Sequence, residues 1–376
     1  MKANSFSIVI PTHNRSALVA VLLQTLSIAR AGFTDAVEVF VIDSSEGDEA
    51  TTIQELCVKW GASYLRCTNN VCKKRNIGIQ RASGEYVFFT DSDCEVPPDI
   101  LNQHAQAYES AGEDVGGVLG LTTITGNLAP IWRTLELDSS FTAAFSFARW
   151  LKYAPWGTCS NISFRKEVLQ QVGGFDENWP LAVYGEDVDL GLRVNEAGFR
   201  IQCNLQAIVK HNSASISSLR QVLRKKYLSG QADYYLGQKH SVRLSPEFPG
   251  WPGMTLLLLA VLLLKGLIVH SILPMLGGVI WLLVGVLCQA ILTARASRTG
   301  WRSILRHAAV ILFEAIFELG RLIESFRYSE VKRLWTKFVY VERQLVGERD
   351  KRIRQMWACV FAFLGLLALL GNVPLH

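Results

Sequence analysis

Glu85–Pro97 reads EYVFFTDSDCEVP, and the fold turns on how it is read. Tyr86, Val87, Phe88 and Phe89 form a short continuous apolar run. Such a run suits a strand buried on both faces, as in a parallel sheet. The run stops at Asp91-Ser92-Asp93, which would deliver two carboxylates to the carboxyl edge of the sheet. Open α/β sheets bind their ligands at that edge. Two acids so close repel each other and lose hydration unless a cation or hydrogen-bond donors compensate. A hard divalent ion bridging to a diphosphate is the usual compensation. Taken alone, the tripeptide reads first as a solvated turn, because Asp and Ser are ordinary turn residues. The segments around it favour the binding edge instead.

Upstream, Phe6–Ile10 and Val37–Ile42 are two further buried strands, with a weaker third at Tyr64–Arg66. The first runs into Pro11-Thr12-His13-Asn14-Arg15 and the second into Asp43-Ser44-Ser45. Pro11 cannot extend a central strand and forces a turn. Helical stretches at Leu18–Ile28, Ile53–Trp60 and Val71–Arg81 separate these strands by short links. Strands alternating with helices predict a doubly wound, mostly parallel α/β sheet. Thr12 to Arg15, Asp43 and Asp91 to Asp93 each follow a strand directly, so they gather at one edge. Arg75, on the third helix, is placed to reach the same edge and suits a diphosphate. No GxGxxG follows the first strand and no Walker sequence occurs, which argues against dinucleotide oxidoreductases and P-loop phosphotransferases.

Downstream, a helix is expected from Pro97-Pro98 to about Ser110 and a strand over Val115–Thr125. Residues 126–156 read as an irregular, aromatic loop, either core or the lining of an acceptor site. Gly157 to Asn161 is expected to precede a helix, and the Asn161-Ile162-Ser163 sequon is expected to be fortuitous. In Tyr184-Gly185-Glu186-Asp187-Val188-Asp189 the acids fall in the first turn of a helix running to Gly198. Acids favour a helix N-terminus, but three in four positions exceed what capping needs. Asp187 and Asp189 point in different directions on a helix, so one can face a cleft while the other braces it. His211 ends a further short strand near the acids and is a candidate metal ligand.

The chain has 376 residues and a net charge of +5, with a mean hydropathy of +0.20 that hides a split. The first 250 residues or so read as globular; the rest alternates apolar runs with basic stretches. Nothing suggests nucleic acid as a partner. The eight cysteines are scattered without a CxxC pair, a pattern of reduced thiols. No apolar signal-peptide core follows Met1-Lys2, so the N-terminal region is expected in the cytoplasm.

The segments SIVIPTHNR (7–15), VIDSS (41–45), KRNIG (74–78), YVFFTDSDC (86–94), GTCSNISFRKEVL (157–169), GGFDE (173–177) and GEDVDLGLRVNEAGFRI (185–201) occur in one order that resembles the family 2 glycosyltransferases of GT-A fold. The resemblance spans residues 6 to about 235. It implies an inverting glycosyltransferase that takes a nucleoside diphosphate sugar with Mn²⁺ or Mg²⁺. Pro11, Thr12, Asn14, Arg15, Asp43, Arg75, Asp91 and Ser92 would bind the nucleotide sugar, and Asp93 and His211 the metal. Asp187 would be the catalytic base, with Glu186 second. Gly157, Ser160 and Arg224 would lie on the acceptor side. Two departures stand out. Asp43-Ser44-Ser45 replaces the two successive acids of many members, which bears on base specificity. Gln221-Val222-Leu223-Arg224 is followed by Lys225 where processive members carry Trp, so the transfer of one or a few sugars is expected. The alternatives are a polyprenyl-phosphate sugar synthase and a non-catalytic nucleotide-sugar-binding scaffold.

The sequence divides into a cytoplasmic catalytic domain (1–245), a transmembrane hairpin (246–296), basic amphipathic helices on the cytoplasmic surface (297–355) and a short final span (356–376). Pro252–Leu292 is long enough for two spans. Arg295, Arg298, Arg302 and Arg306 then place the following loop in the cytoplasm. Ile304–Leu319 carries charges at helical spacing and reads as a helix lying on the membrane surface. The expected location is the inner cell membrane, multi-pass, with membrane lipids and a lipid or glycan acceptor as partners.

Overall fold

The structure, a computed structural model, describes residues 4–126, 130–181, 184–216, 218–246, 251–268, 270–330, 332–333 and 336–341. The chain forms two compact units: one of residues 1–128 and 139–217, the other of 129–138 and 218–376.

The first unit is the α/β sheet. Its elements are β1 (Phe6–Thr12), α1 (Ser16–Ala31), β2 (Val37–Asp43), α2 (Gly47–Trp60), β3 (Ser63–Arg66), α3 (Val71–Arg81), β4 (Tyr86–Phe89), β5 (Cys94–Glu95), α4 (Ile100–Glu109) and β6 (Val115–Thr125). The chain then gives α5 (Pro130–Leu135) to the second unit and returns with α6 (Ser139–Ser146). The first unit is completed by β7 (Tyr153–Ala154), β8 (Ile162–Arg165), α7 (Lys166–Gln171), α8 (Glu186–Glu196) and β9 (Arg200–Asn212).

The sheet order is β3-β2-β1-β4-β8-β6-β9-β5, with β7 also on β9. β3, β2, β1 and β4 run parallel; β8 is antiparallel to both β4 and β6; β6 and β9 are parallel. Six of the nine strands therefore share one direction, and the sheet is mostly parallel as the alternation predicts. The run over 86–89 is buried on both faces, as is Phe6–Ile10. Phe6, Ile8, Ile10, Val41 and Phe88 join Leu22, Leu26 and Ile100 from the covering helices in one core.

Two expectations are corrected. The stretch after Asn161 is not a helix but β8, which alternates Ile-Ser-Phe-Arg and wedges between β4 and β6. Helix α7 follows only at Lys166. Residues 126–156 are not irregular but hold α5, α6 and a 3-10 turn over Phe147–Arg149. The sequon is indeed inaccessible: Asn161 is fully buried, and its Nδ2 donates to Leu121 O and Ala207 O, each at 2.9 Å. Seven cysteines among the described residues are free thiols.

The second unit holds α9 (Leu219–Lys239), β10 (Leu244–Pro246), α10 (Trp251–Ile268), α11 (Leu273–Ala296), α12 (Ile304–Arg327) and β11 (Thr336–Phe338). Ser218 caps α9 reciprocally with Gln221, which gives the Gln of the Gln-x-x-Arg segment a local structural use. α9 and α12 cross closely at two glycines. A Cβ on Gly230 would lie 1.9 Å from Phe317 O, and one on Gly320 2.2 Å from Tyr227 O. No larger residue permits that approach.

Among the described residues only Leu276–Arg295 in α11 is long and apolar enough to cross a membrane; α10 has 18 residues. The final span over 356–376 lies outside the described residues, as does all of 342–355. α12 occupies the expected amphipathic segment, but its charges divide: Arg306 and Arg327 are exposed, whereas three others turn inward. Glu318, Arg321 and Glu324 are 2%, 0% and 1% exposed, while Leu305 and Phe326 on the same helix are exposed. The reason is a set of partners beyond the helix. Glu318 Oε2 accepts from Arg321 Nη2 at 2.7 Å and Glu318 Oε1 meets Lys337. Arg321 Nη1 donates to the carbonyls of Arg333 and Thr336.

Candidate active site

The carboxyl ends of β1, β2 and β4 assemble the expected edge. Thr12 on β1 lies directly across from Asp43 on β2. Asp43 is fully buried. Its Oδ1 accepts from Ser45 N at 2.9 Å and Ser45 Oγ at 2.6 Å, and its Oδ2 from Tyr64 OH at 3.0 Å. Ser45 Oγ in turn accepts from the Asn14 backbone N–H at 2.7 Å, with Asn14 in the left-handed region at φ 51°. Asn tolerates that conformation better than most residues. The two turns that follow β1 and β2 are thus locked together. Lys74 completes the lock: its Nζ donates to Thr12 O at 2.7 Å and Ser44 Oγ at 2.8 Å. Burial lowers the Lys74 ammonium to about 8, with Asp43 opposing the shift. Pro11 is half-buried within β1.

Arg75 is 4% exposed and donates from Nη1 to Glu186 Oε1 at 2.8 Å and from Nη2 to Asp91 Oδ1 at 3.3 Å. Its guanidinium stacks over Phe175 at 5.2 Å. The residue expected at a diphosphate therefore bridges the end of β4 to the start of α8. Beside it, Asn76 reads the backbone of Phe175 in both directions, donating to its O and accepting from its N at 2.8 Å each.

α8 begins in a strained turn. Tyr184 and Gly185 both have positive φ, 84° and 95°, and Trp179 Nε1 donates to Tyr184 O at 2.9 Å. Strain of this kind at a non-glycine residue costs of order 1–3 kcal/mol and persists where the surroundings hold it. The three acids that follow have separate fates. Asp189 is fully buried and pairs with Arg193 at 2.7 Å, bracing the helix. Glu186 is buried, with Oε1 taken by Arg75. Asp187 stays half-buried, and its Oδ1 accepts from the adjacent Val188 N at 2.8 Å. Burial first, and the neighbouring Glu186 carboxylate second, push Asp187 up to about 7. A carboxyl group tuned toward neutrality is matched to proton transfer near neutral pH.

Asp93 is buried, with Oδ2 bound by Arg15 Nη1 at 2.8 Å. Its Oδ1 has no hydrogen-bond partner and faces His211 Nε2 at 3.4 Å. His211 Nδ1 lies 3.2 Å from Asn212 O, which can only accept, so the ring proton sits on Nδ1. In the charged ring His211 and Asp93 form an ion pair, and in the neutral ring the Nε2 lone pair faces Asp93 Oδ1. Such a pair suits a divalent cation, and the donor set of carboxylate and imidazole is one that Mn²⁺ or Mg²⁺ accepts. Ser92 between the acids is buried. Phe145 of α6 sits 6.0 Å from the His211 ring.

The residues expected on the acceptor side are scattered. Gly157 packs against Leu119 and Ile162 in the interior. Ser160 is buried, with its hydroxyl bonded to Thr122 at 3.1 Å and Thr158 at 2.9 Å. Arg224 is exposed on α9 in the second unit. Lys74, Ser45 and Tyr64 were not singled out from sequence. Lys74 and Ser45 adjoin residues that were, whereas Tyr64 lay in the weakest strand.

The mostly parallel α/β sheet, with acids and a buried arginine gathered at its carboxyl edge, has the GT-A type of arrangement. Residues 7–173 match the model of Glycosyl transferase family 2. It is 28% identical over 249 residues to the O-antigen biosynthesis protein RfbC of Myxococcus xanthus, covering 61% of this chain and 18% of that one. It is 25% identical over 237 residues to the chondroitin synthase of Pasteurella multocida, covering 52% and 23%. The matching region thus spans less than a quarter of either relative. The mannosyltransferase PcManGT of Pyrobaculum calidifontis, solved with GDP-Man and Mn²⁺, shares the fold with a TM-score of 0.55 at 14% identity, over 86% of this chain and 88% of that one.

Proposed function

We propose that the protein is an inverting, metal-dependent transferase that moves a sugar from a nucleoside diphosphate to a membrane-associated acceptor at the cytoplasmic face. The observation that carries this is the contrast between Glu186, held by Arg75, and its neighbour Asp187, which is raised toward neutrality and forms no ion pair among the described residues. Asp187 takes the proton of the acceptor hydroxyl as that oxygen attacks the anomeric carbon. Direct displacement inverts the centre. Arg75 holds Glu186 and Asp91 in place, so that Asp187 is the acid left to accept a proton. Thr12, Asn14, Asp43 and Lys74 shape the nucleoside end, and Arg15 presents charge beside it. Asp93 and His211 would hold Mn²⁺ or Mg²⁺, which when bound supplies positive charge for the leaving diphosphate. The names of the two relatives support a glycan as acceptor, lipid-linked or at the cell surface, and α11 supports placement at a membrane.

The test is product formation from a panel of nucleotide sugars and membrane lipid extracts, with Asp187→Asn beside the parent. Transfer is expected to fall by at least about 10² in the variant while nucleotide binding changes far less. Because Asn caps a helix about as well as Asp, near-parental transfer would remove Asp187 as the base.

A further inference from the structure

Cys94 has no part in the reaction described above, yet it lies beside the residues assigned to the metal. It sits on β5 directly across from His211 on β9. Residues paired across two strands present their side chains to the same face. The Cys94 sulfur, a carboxylate oxygen of Asp93 and a ring nitrogen of His211 lie within 4.8 Å of one another. Cys94 is 1% exposed, and its Sγ meets Ser160 O at a long 3.9 Å. Asp93 Oδ1 is buried without a hydrogen bond. His211 Nδ1 lies 3.2 Å from the Asn212 carbonyl, so the neutral ring that protonates Nδ1 offers its Nε2 lone pair as a donor. That backbone contact is the kind of support that orients imidazole ligands in metal sites. One charge opposes the arrangement: Arg15 holds the other Asp93 oxygen.

Oxygen and nitrogen alone serve a hard ion such as Mg²⁺ or Mn²⁺, which gains little from sulfur. A thiolate, an imidazole and a carboxylate together are the donors of a zinc site with one position open. In a tetrahedral zinc shell the sulfur and nitrogen ligands stand about 3.5 Å apart, so side-chain adjustments of about 1 Å close the set. We propose that Asp93, Cys94 and His211 form a three-donor pocket that takes thiophilic divalent ions, zinc above all, in preference to Mn²⁺ or Mg²⁺, and that Cys94 confers the preference. The inference rests on the reading of Asp93 and His211 as metal ligands. Binding exchanges one proton for one metal–sulfur bond: the thiol proton leaves to solvent as the sulfur coordinates, with no change of oxidation state. Zinc would then occupy the ion site of the transfer reaction and compete with the ion that supports turnover.

The experiment is a Co²⁺ titration of the metal-free full chain, followed by absorbance. Thiolate coordination produces a near-ultraviolet charge-transfer band, expected in the parent and in the half-exposed control Cys67→Ser, and absent in Cys94→Ser. Zn²⁺, read by displacement of Co²⁺ or of bound Mn²⁺, is expected to bind Cys94→Ser more than about tenfold more weakly. Mn²⁺ affinity, read by electron paramagnetic resonance, is expected to change by much less. His211→Ala, which removes the donor on the opposite strand, is expected to weaken the same band, so the result does not hang on one variant. Bound Co²⁺ without a sulfur band in the parent, or a band that survives in Cys94→Ser, overturns the proposal. Loss of Mn²⁺ binding with the cobalt band intact would instead overturn the turnover metal and leave the cysteine site standing.

Discussion

The carboxyl edge of the sheet and the layer between α9 and α12 both bury carboxylates among arginines, and they treat them in opposite ways. In the helical layer Glu318 faces Arg321 and Lys337, and those cations hold its carboxyl below the usual range although burial acts the other way. At the sheet edge Asp187 is pushed up by burial and by Glu186, and Arg75, which would lower it, is engaged with Glu186 and Asp91. The chemistry of the side chains is the same; the count of cations within reach differs. A carboxylate given more than its share of positive charge is a structural element. One given less keeps affinity for a proton, and the proposed metal role of Asp93 draws on the same shortage, with one of its oxygens lacking a hydrogen bond. Three substitutions test this contrast.

Arg321→Met should have the largest effect. It removes a fully buried cation and leaves Glu318 with Lys337 alone. Breaking a buried pair on one side typically costs about 3–5 kcal/mol, to be read by denaturant unfolding. A loss below about 1 kcal/mol would mean that the network is wet and that its pairing resembles a surface salt bridge.

Arg75→Met should act on pH dependence. Parental turnover is expected to rise with pH as Asp187 loses its proton and to level off above about 7. Arg75 favours the ionised form of Asp187, so its removal should move the rise to higher pH. A shift of one unit lowers turnover below the rise by roughly tenfold, measured as the pH profile of kcat. A profile that keeps its midpoint while losing height would assign Arg75 to donor binding rather than to the carboxylates.

Asp233→Asn should have the smallest effect, and its sign is informative. Burial pushes Asp233 up to about 6 against the pull of Arg321 and Arg333. The folded form therefore binds a proton more tightly than the unfolded form, and stability falls as pH rises from about 4 to about 6. Asn mimics the protonated acid. The variant should match the parent at pH 4 and exceed it modestly at pH 8, as seen in thermal unfolding at the two pH values. Equal stability of parent and variant at both would show that folding does not raise the Asp233 carboxyl.

The edge was legible in the sequence because its signals are local. Continuous apolar runs at 6–10 and 86–89 announce doubly buried strands, and the polar residues follow them without a gap. What was missed depends on partners distant in the chain. Ile162–Arg165 is only four residues long and leads straight into Lys-Glu-Val-Leu, so the helix formers dominate its reading. Its strand state is imposed by β4 and β6 on either side. The charges of α12 were visible, but not their direction. Glu318 and Arg321 turn inward because Lys337, Arg333 and Thr336 come back to meet them, which spacing within a helix cannot report. Arg75 was found as an edge residue, while its attachment to Glu186 spans 111 positions in the chain.

The excursion of residues 129–138 into the second unit bears on how this architecture could be recombined. The units are not beads joined by one string, since the chain crosses between them three times. α5 packs against α12, and Trp132 and Leu135 on it are 4% and 0% exposed. Asp138 at its end pairs with the buried Lys226 of α9. A truncation near residue 245, at first sight a clean release of the sheet, would remove α12 and strip those side chains of their cover. An exchange of the helical unit with another protein would have to carry the ten-residue segment along with it. Phe141 and Phe145 follow that segment immediately in the chain, so the lining beside His211 and the helical unit are inherited as a linked pair, not as separately interchangeable parts.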